Sequence, residues 1–136
     1  MLPKSQLRSE CPVACTLDVI GDRWTLLVIR DLFLGKRHFD EFLASSEGIA
    51  TNILTARLAR LSKMKLVRRV KSLGDRRRFA YELTEVGMTL KPLLKEAARW
   101  GLKHFHDGAA LPAEAFSAKT VQSRKRVLHS QPMASA

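Results

Sequence analysis

"ATNILTARLARLSKMKLVRRVKSLGDRRRFAYELT", residues 50 to 84, changes its pattern halfway along. In the first half Leu54, Leu58 and Leu61 fall at i, i+4 and i+7, an apolar stripe down one side of a helix. Asn52, Ala56, Ala59 and Lys63 form the opposite face, with Arg60 beside it. From Leu66 the residues suit strands: "VRRVKS" and "FAYELT" flank "LGDRRR", whose Gly74-Asp75 pair signals a turn. A helix is therefore followed directly by a two-stranded hairpin whose turn carries Arg76, Arg77 and Arg78. A lone hairpin is not stable in water, so this one has to pack on helices.

Those helices are legible on either side. "CPVACTLDVIG" puts Val13, Leu17 and Ile20 on one helical face and ends at Gly21. "DRWTLLVIRDLFLG" starts with Asp22 as an N-cap and ends at Gly35. Trp24, Leu27, Val28, Leu32 and Phe33 make this second helix apolar nearly all round, as expected of a central buried helix. "KRHFDEFLAS" forms a short third helix with Phe39, Phe42 and Leu43 on one face. After the hairpin, Thr84 caps a long helix over residues 85 to 106. Its apolar face comprises Val86, Leu90, Leu93, Leu94, Ala97, Trp100 and Phe105, weakened by Gly87 and open to a kink at Pro92. His104 and His106, near Asp107, are read as surface residues at a helix end.

Charge points to the partner. The 136 residues carry 24 Lys and Arg against 13 Asp and Glu, a net +11, with 46% hydrophobic residues in the range of a globular domain. Residues 57 to 78 hold ten basic groups against the single Asp75, so most of the excess lies in this one segment. No acid stands between Gly48 and Leu73, where a solvated surface helix would carry Glu. Such a stripe favours a polyanion. The opening "MLPKSQLRSECP" lacks the apolar core of a secretory signal, and "WTLLVI" is too short to span a bilayer. A cytoplasmic protein with Cys11 and Cys15 as thiols, and with no membrane partner, is expected.

Helix, helix, short helix, a helix with a bare basic face and then an arginine-tipped hairpin is the order of a winged helix-turn-helix. The fold class expected is mainly α with a small β-wing. The major groove of duplex DNA admits one helix. The wing reaches over the backbone, where arginine meets phosphates or the negative potential of a narrow minor groove.

The chain also resembles a known family. "CPVACTLDVIGDRWTLLVIRDLFLGKRHFDEF", "GIATNILTARLARLSKMKLV" and "YELTEVGMTL" are similar to the HxlR family of bacterial winged-helix transcriptional regulators over residues 11 to 105. The Cys-Pro opening, the Gly-x-x-Trp junction, the Leu-x-x-Arg-Leu-x-x-Leu spacing and the Tyr-x-Leu-Thr-x-x-Gly segment occur in order. The resemblance implies a homodimer on an inverted-repeat operator in double-stranded DNA, built through the N-terminal and long C-terminal helices and controlled by a small-molecule or electrophile cue. Repression is the expected mode. The segments expected are a polar, flexible N-terminal arm (1–10), a winged helix-turn-helix DNA-binding domain (11–84), a helix (85–106) that the resemblance makes the dimerisation helix, and an Ala-, Ser- and Pro-rich C-terminal extension (107–136). Transferred position by position, Thr51, Asn52, Thr55 and Ala56 would face base edges. Arg57 would meet a base or a phosphate, and Arg60 and Lys63 phosphates. Arg76, Arg77 and Arg78 would serve the wing, and Leu90, Leu93, Leu94, Ala97 and Trp100 the dimer.

Three departures stand out. Ala50 replaces the usual Ser, so Thr51 is expected to cap the helix instead. Lys65 replaces a glycine, and "GDRRR" looks more like the wing of the related MarR family than a proline-bearing one.

Cys11 matches the N-terminal cysteine that several such regulators use to sense oxidants, quinones or aldehydes. That chemistry needs an exposed thiolate, and Arg8 and Arg23 are the nearby sources of positive charge. The competing reading is a small buried hydrophobe. The histidine spacings match no metal-ligand set, and no cofactor is implied. With no phosphate loop, paired carboxylates or nucleophile motif, an enzyme is not expected. The alternative is a basic nucleoid or RNA-binding protein without operator specificity, which would have little use for the apolar face of the 85–106 helix.

Overall fold

The computed structural model describes residues 8–105. Pro12 lacks an N–H, which a first helical turn does not need, and it opens α1 (Pro12–Ile20). Gly21 keeps right-handed dihedrals (φ −74°). Its smallness is what matters, since a Cβ there would lie 2.2 Å from the Leu17 carbonyl oxygen. The chain restarts at once. α2 (Thr25–Phe33) has Trp24 and not Asp22 at its N-cap position, two residues later than expected, but the Asp22 carboxylate accepts the N–H groups of Trp24 and Thr25, both at 3.1 Å, and so still serves the helix start. Gly35, at φ 95°, ends it: the N–H groups of Gly35 and Lys36 return to the carbonyls of Leu32 and Asp31 at 3.1 and 2.9 Å. Val28, Ile29, Leu32 and Phe33 of α2 are buried, which makes it the central helix.

α3 (Phe39–Leu43) lays Phe42 into the same core. After a seven-residue turn, α4 (Thr51–Lys63) buries Leu54, Leu58 and Leu61, the stripe read from the sequence, against α2 and α3. Thr51 does not cap α4. Ala50 already has the extended dihedrals of an N-cap and accepts the Leu54 N–H at 3.0 Å, which makes Thr51 the first helical residue. At the far end Lys65 takes φ 58°, the left-handed conformation that glycine adopts most easily. The N–H groups of Lys65 and Leu66 close onto Ser62 and Leu61, both at 3.0 Å.

β1 (Val67–Ser72) and β2 (Asp75–Leu83) pair antiparallel from Val67↔Leu83 to Lys71↔Phe79, and then Ser72↔Asp75. The turn itself is Leu73-Gly74, so the three arginines are displaced from where the sequence put them. Arg76, Arg77 and Arg78 are the surplus residues of a bulge on β2, between the last two pairings. A two-residue turn closes the hairpin tightly, and the remaining residues have to loop out of the ladder. On its other edge β2 receives the Arg37 carbonyl, bonded by the Tyr81 N–H at 2.8 Å.

The single long helix expected over 85–106 is two: α5 (Glu85–Met88) and α6 (Lys91–Phe105). Pro92 has no N–H to give to the Met88 carbonyl, so the helix breaks at Thr89 and Leu90 and restarts with Pro92 in the first turn of α6, where no N–H is needed and where Leu90 accepts the Leu94 N–H at 3.0 Å. Thr84 caps α5 as expected, accepting the Gly87 N–H at 3.1 Å. Gly87 sits where a Cβ would lie 2.0 Å from the Leu66 carbonyl oxygen, so it is a packing requirement at the α5–hairpin junction. The start of α6 packs on α2. Leu94, expected at a dimer face, is only 6% exposed and belongs to the core of its own chain, with Leu90 packed beside it. Leu93 is half-buried, while Ala97 and Trp100 are exposed. His106, residues 107–136 and most of the arm lie outside the described residues.

Candidate nucleic-acid interface

With its leucines sunk in the core, α4 turns Thr51, Asn52, Thr55, Ala56, Ala59 and Lys63 to the outside. The Thr55 hydroxyl donates to the Thr51 carbonyl at 2.9 Å, which leaves its methyl group and oxygen lone pairs outward. Asn52 is exposed, and its amide meets no partner among the described residues. This surface is short, polar and acid-free, as a helix entering the major groove requires.

The basic stripe divides into committed and uncommitted cations. Arg57, 28% exposed, donates from Nε to Asp22 Oδ2 at 2.7 Å. Arg60 donates to the Asp18 carbonyl at the end of α1. In the wing, Arg68 pairs with Glu82 at 2.5 Å, and Arg78 with Asp40 at 2.5 Å. The Arg69 guanidinium lies 3.8 Å above the Phe79 ring centroid. Among the described residues no ion pair holds Lys63, Lys65, Lys71 or Arg77. These four, near the end of α4 and along the wing, are available to phosphates. Of Arg76 only the backbone is described. The structure thus brings Asn52, Thr55, Ala56 and Lys63 together on one face and places Arg77 on the wing, whereas Arg57 and Arg60 turn back onto α1 and α2.

Cys11 stands exposed at the N-cap of α1. The backbone N–H groups of Ala14 and Val13 hold its pKa below the ordinary thiol value. The arginines named as sources of charge do not contribute: Arg8 is bound to Asp18 at 2.5 Å, and Arg23 lies over Trp24 at 5.3 Å. The helix N-terminus takes their place. Cys15 is half-buried, its thiol 3.2 Å from the Ser9 carbonyl.

One network was not foreseen in the sequence. Asp31, a nearly buried carboxylate on α2, meets Arg30, the Ser45 hydroxyl and Lys36, and Arg30 also grips Glu47 at 2.5 and 2.9 Å. The hydrogen bond from Arg30 holds the Glu47 carboxyl at about 2. The signal was there, in a charged Arg30-Asp31 pair within an otherwise apolar helix. The network ties α2 to the α3–α4 turn and so helps to place α4. Among the described residues, large apolar side chains stay exposed on α1 (Val13, Leu17) and α6 (Trp100, Phe105), and also on α5 (Val86, Met88) and the hairpin (Leu73, Phe79). None of the described helices is long and apolar enough to cross a membrane.

Comparison with known proteins agrees with this geometry. The HxlR-like helix-turn-helix family matches residues 19–108. An uncharacterised HTH-type transcriptional regulator of Bacillus subtilis, YdeP, is 34% identical over 69% of this chain and 73% of its own length. A second such regulator, MT3179 of Mycobacterium tuberculosis, is 38% identical over 65% of this chain, and the match spans just over half, 56%, of that relative. Among solved structures, the redox regulator HypR in its oxidised form superposes with a TM-score of 0.62 at 34% identity, over 68% of this chain and 96% of HypR.

Proposed function

Because this chain belongs to the HxlR-like helix-turn-helix family of DNA-binding transcriptional regulators, we propose that it acts as a homodimeric repressor on an inverted-repeat operator. α4 lies in the major groove, with Thr51, Asn52, Thr55 and Ala56 at base edges, and the wing lies on the flanking backbone. The observation that carries this is the pairing of an acid-free, outward α4 face with the uncommitted Lys63, Lys65, Lys71 and Arg77 beside it. The open apolar surfaces on α1 and α6 supply a self-complementary contact, with Trp100 at 59% exposure as its largest side chain. Two copies would read half-sites about one helical turn apart. Repression follows where such a site overlaps a promoter. The protein works by binding and carries no catalytic step.

The exposed, helix-capped Cys11 thiol supports control by an oxidant or electrophile, and the similarity to HypR, a redox regulator, agrees with that reading. The test is duplex binding to the gene's own upstream region with and without diamide, beside Cys11→Ser. Release of DNA from the parent protein alone establishes a thiol switch. Retention by both proteins removes Cys11 from the mechanism, and equal affinity for any duplex removes operator recognition. Asn52→Ala should change sequence preference more than general affinity, and an equal loss on all duplexes would refute its base-reading role.

A further inference from the structure

Arg57 and Arg60 stand three residues apart on one edge of α4, and both bond back to the α1–α2 junction, Arg57 half-buried and Arg60 exposed. The Asp22 carboxylate that receives Arg57 at 2.7 Å also caps α2, through the N–H groups of Trp24 and Thr25 and through the Thr25 hydroxyl. Burial raises the pKa of Asp22, but the bonds from Thr25, Arg57 and Trp24 outweigh it and hold the carboxyl at about 2. Arg60 takes the Asp18 carbonyl, one of the otherwise unsatisfied acceptors at the end of α1, while the Asp18 side chain holds Arg8 at 2.5 Å.

The leucine stripe alone leaves one motion free. Leu54, Leu58 and Leu61 run in a line along α4, which fixes its depth and leaves roll about that line as the softest displacement. The outward side chains lie about a helix diameter, 10–12 Å, from that line, so a roll of about 10° moves a side-chain tip about 2 Å. That is enough to take a base contact out of hydrogen-bond range. We propose that Arg57 and Arg60 are a clasp onto the α1–α2 junction that sets the roll of the recognition helix, and that Asp22 is a positioning residue for base readout. The inference rests on the DNA-binding reading above and assigns these two arginines a role other than phosphate contact. It also makes the pose of α4 depend on the position of α1.

Asp22→Asn tests it, because asparagine caps a helix about as well as aspartate but withdraws the charge from Arg57. Affinities for the upstream duplex and for a random duplex of equal length are measured across a KCl series, beside melting temperatures and the control Glu96→Gln, which makes the same charge change on α6. The expected result is a loss of about tenfold in discrimination between the duplexes. The random duplex should be bound as well as before or better, with a salt slope steeper by up to about 0.9 per released arginine. Glu96→Gln should leave discrimination intact. A parallel loss on both duplexes that follows a fall in melting temperature overturns the proposal, since Asp22 is then only a cap. Unchanged discrimination overturns it too. If the parent protein does not prefer the upstream duplex under any condition, the operator reading fails first and takes the clasp with it, an outcome visible without any variant.

Discussion

Lys65→Gly should make this protein more stable while weakening its hold on DNA. Lys65 has φ 58°, the left-handed region that a side chain with a Cβ enters at a cost of about 1–2 kcal/mol. Glycine removes that cost but gives back about 0.5–1 kcal/mol, because it loses more backbone freedom on folding. The local bonds all survive, since they use only the backbone: Lys65 N–H to Ser62 at 3.0 Å, and the Lys65 carbonyl accepting the Thr84 hydroxyl at 2.6 Å. The net gain is about 0.5–1 kcal/mol, a rise of about 2–8 °C in melting temperature for a domain of this size. Urea titration at fixed protein concentration reads it, with Lys65→Ala as the partner variant. Alanine keeps the strain and removes only the charge, so its stability should match the parent. Both variants should show a salt slope lower by up to about 0.9 per protomer if Lys65 meets a phosphate. A Lys65→Gly protein no more stable than Lys65→Ala would refute the claim that this turn stores strain.

Gly87→Ala should destabilise by about 2–4 kcal/mol, because the new methyl falls 2.0 Å from the Leu66 carbonyl oxygen and 3.1 Å from Leu83; thermal melting checks it, and an unchanged midpoint would show that α5 can shift freely. Arg77→Ala should lower the salt slope by about 0.9 per protomer, whereas Arg78→Ala should change it less, because Arg78 already pairs with Asp40 at 2.5 Å; equal effects would mean that the pair opens on DNA. Acid should weaken the fold over a defined window: Asp22 and Glu47 are held at about 2, below their ordinary values of 3.8 and 4.5. Their contribution is then present above pH of about 4.5 and is lost as pH falls towards 2, so urea midpoints should drop across that range, and Asp22→Asn should flatten the drop.

Much of this could be read from the chain because periodicity and end signals are local. Leu54, Leu58 and Leu61 lie inside, Thr84 caps the helix it precedes, the Asp22 carboxylate binds the N–H groups at the start of α2, and the hairpin follows α4 directly. Side-chain commitments were less legible. A run of arginines looks uniform in sequence, yet Arg57, Arg60, Arg68 and Arg78 each find a partner 14 to 42 residues away. Pro92 was visible, but its effect depended on whether packing of α6 on α2 favoured a kinked helix or two separate ones.

By itself, then, the sequence determined the order of elements, the faces that are buried and the net charge aimed at DNA, because hydrophobic spacing and turn chemistry act between near neighbours. Only the tertiary structure decided which cations remain free for phosphates, that Leu90 and Leu94 serve the chain's own core, and that the Cys11 thiolate is favoured by a helix end and not by arginines. Each of these depends on which charged or apolar group is brought within a few ångströms across distant parts of the chain, and that is a property of the packed fold.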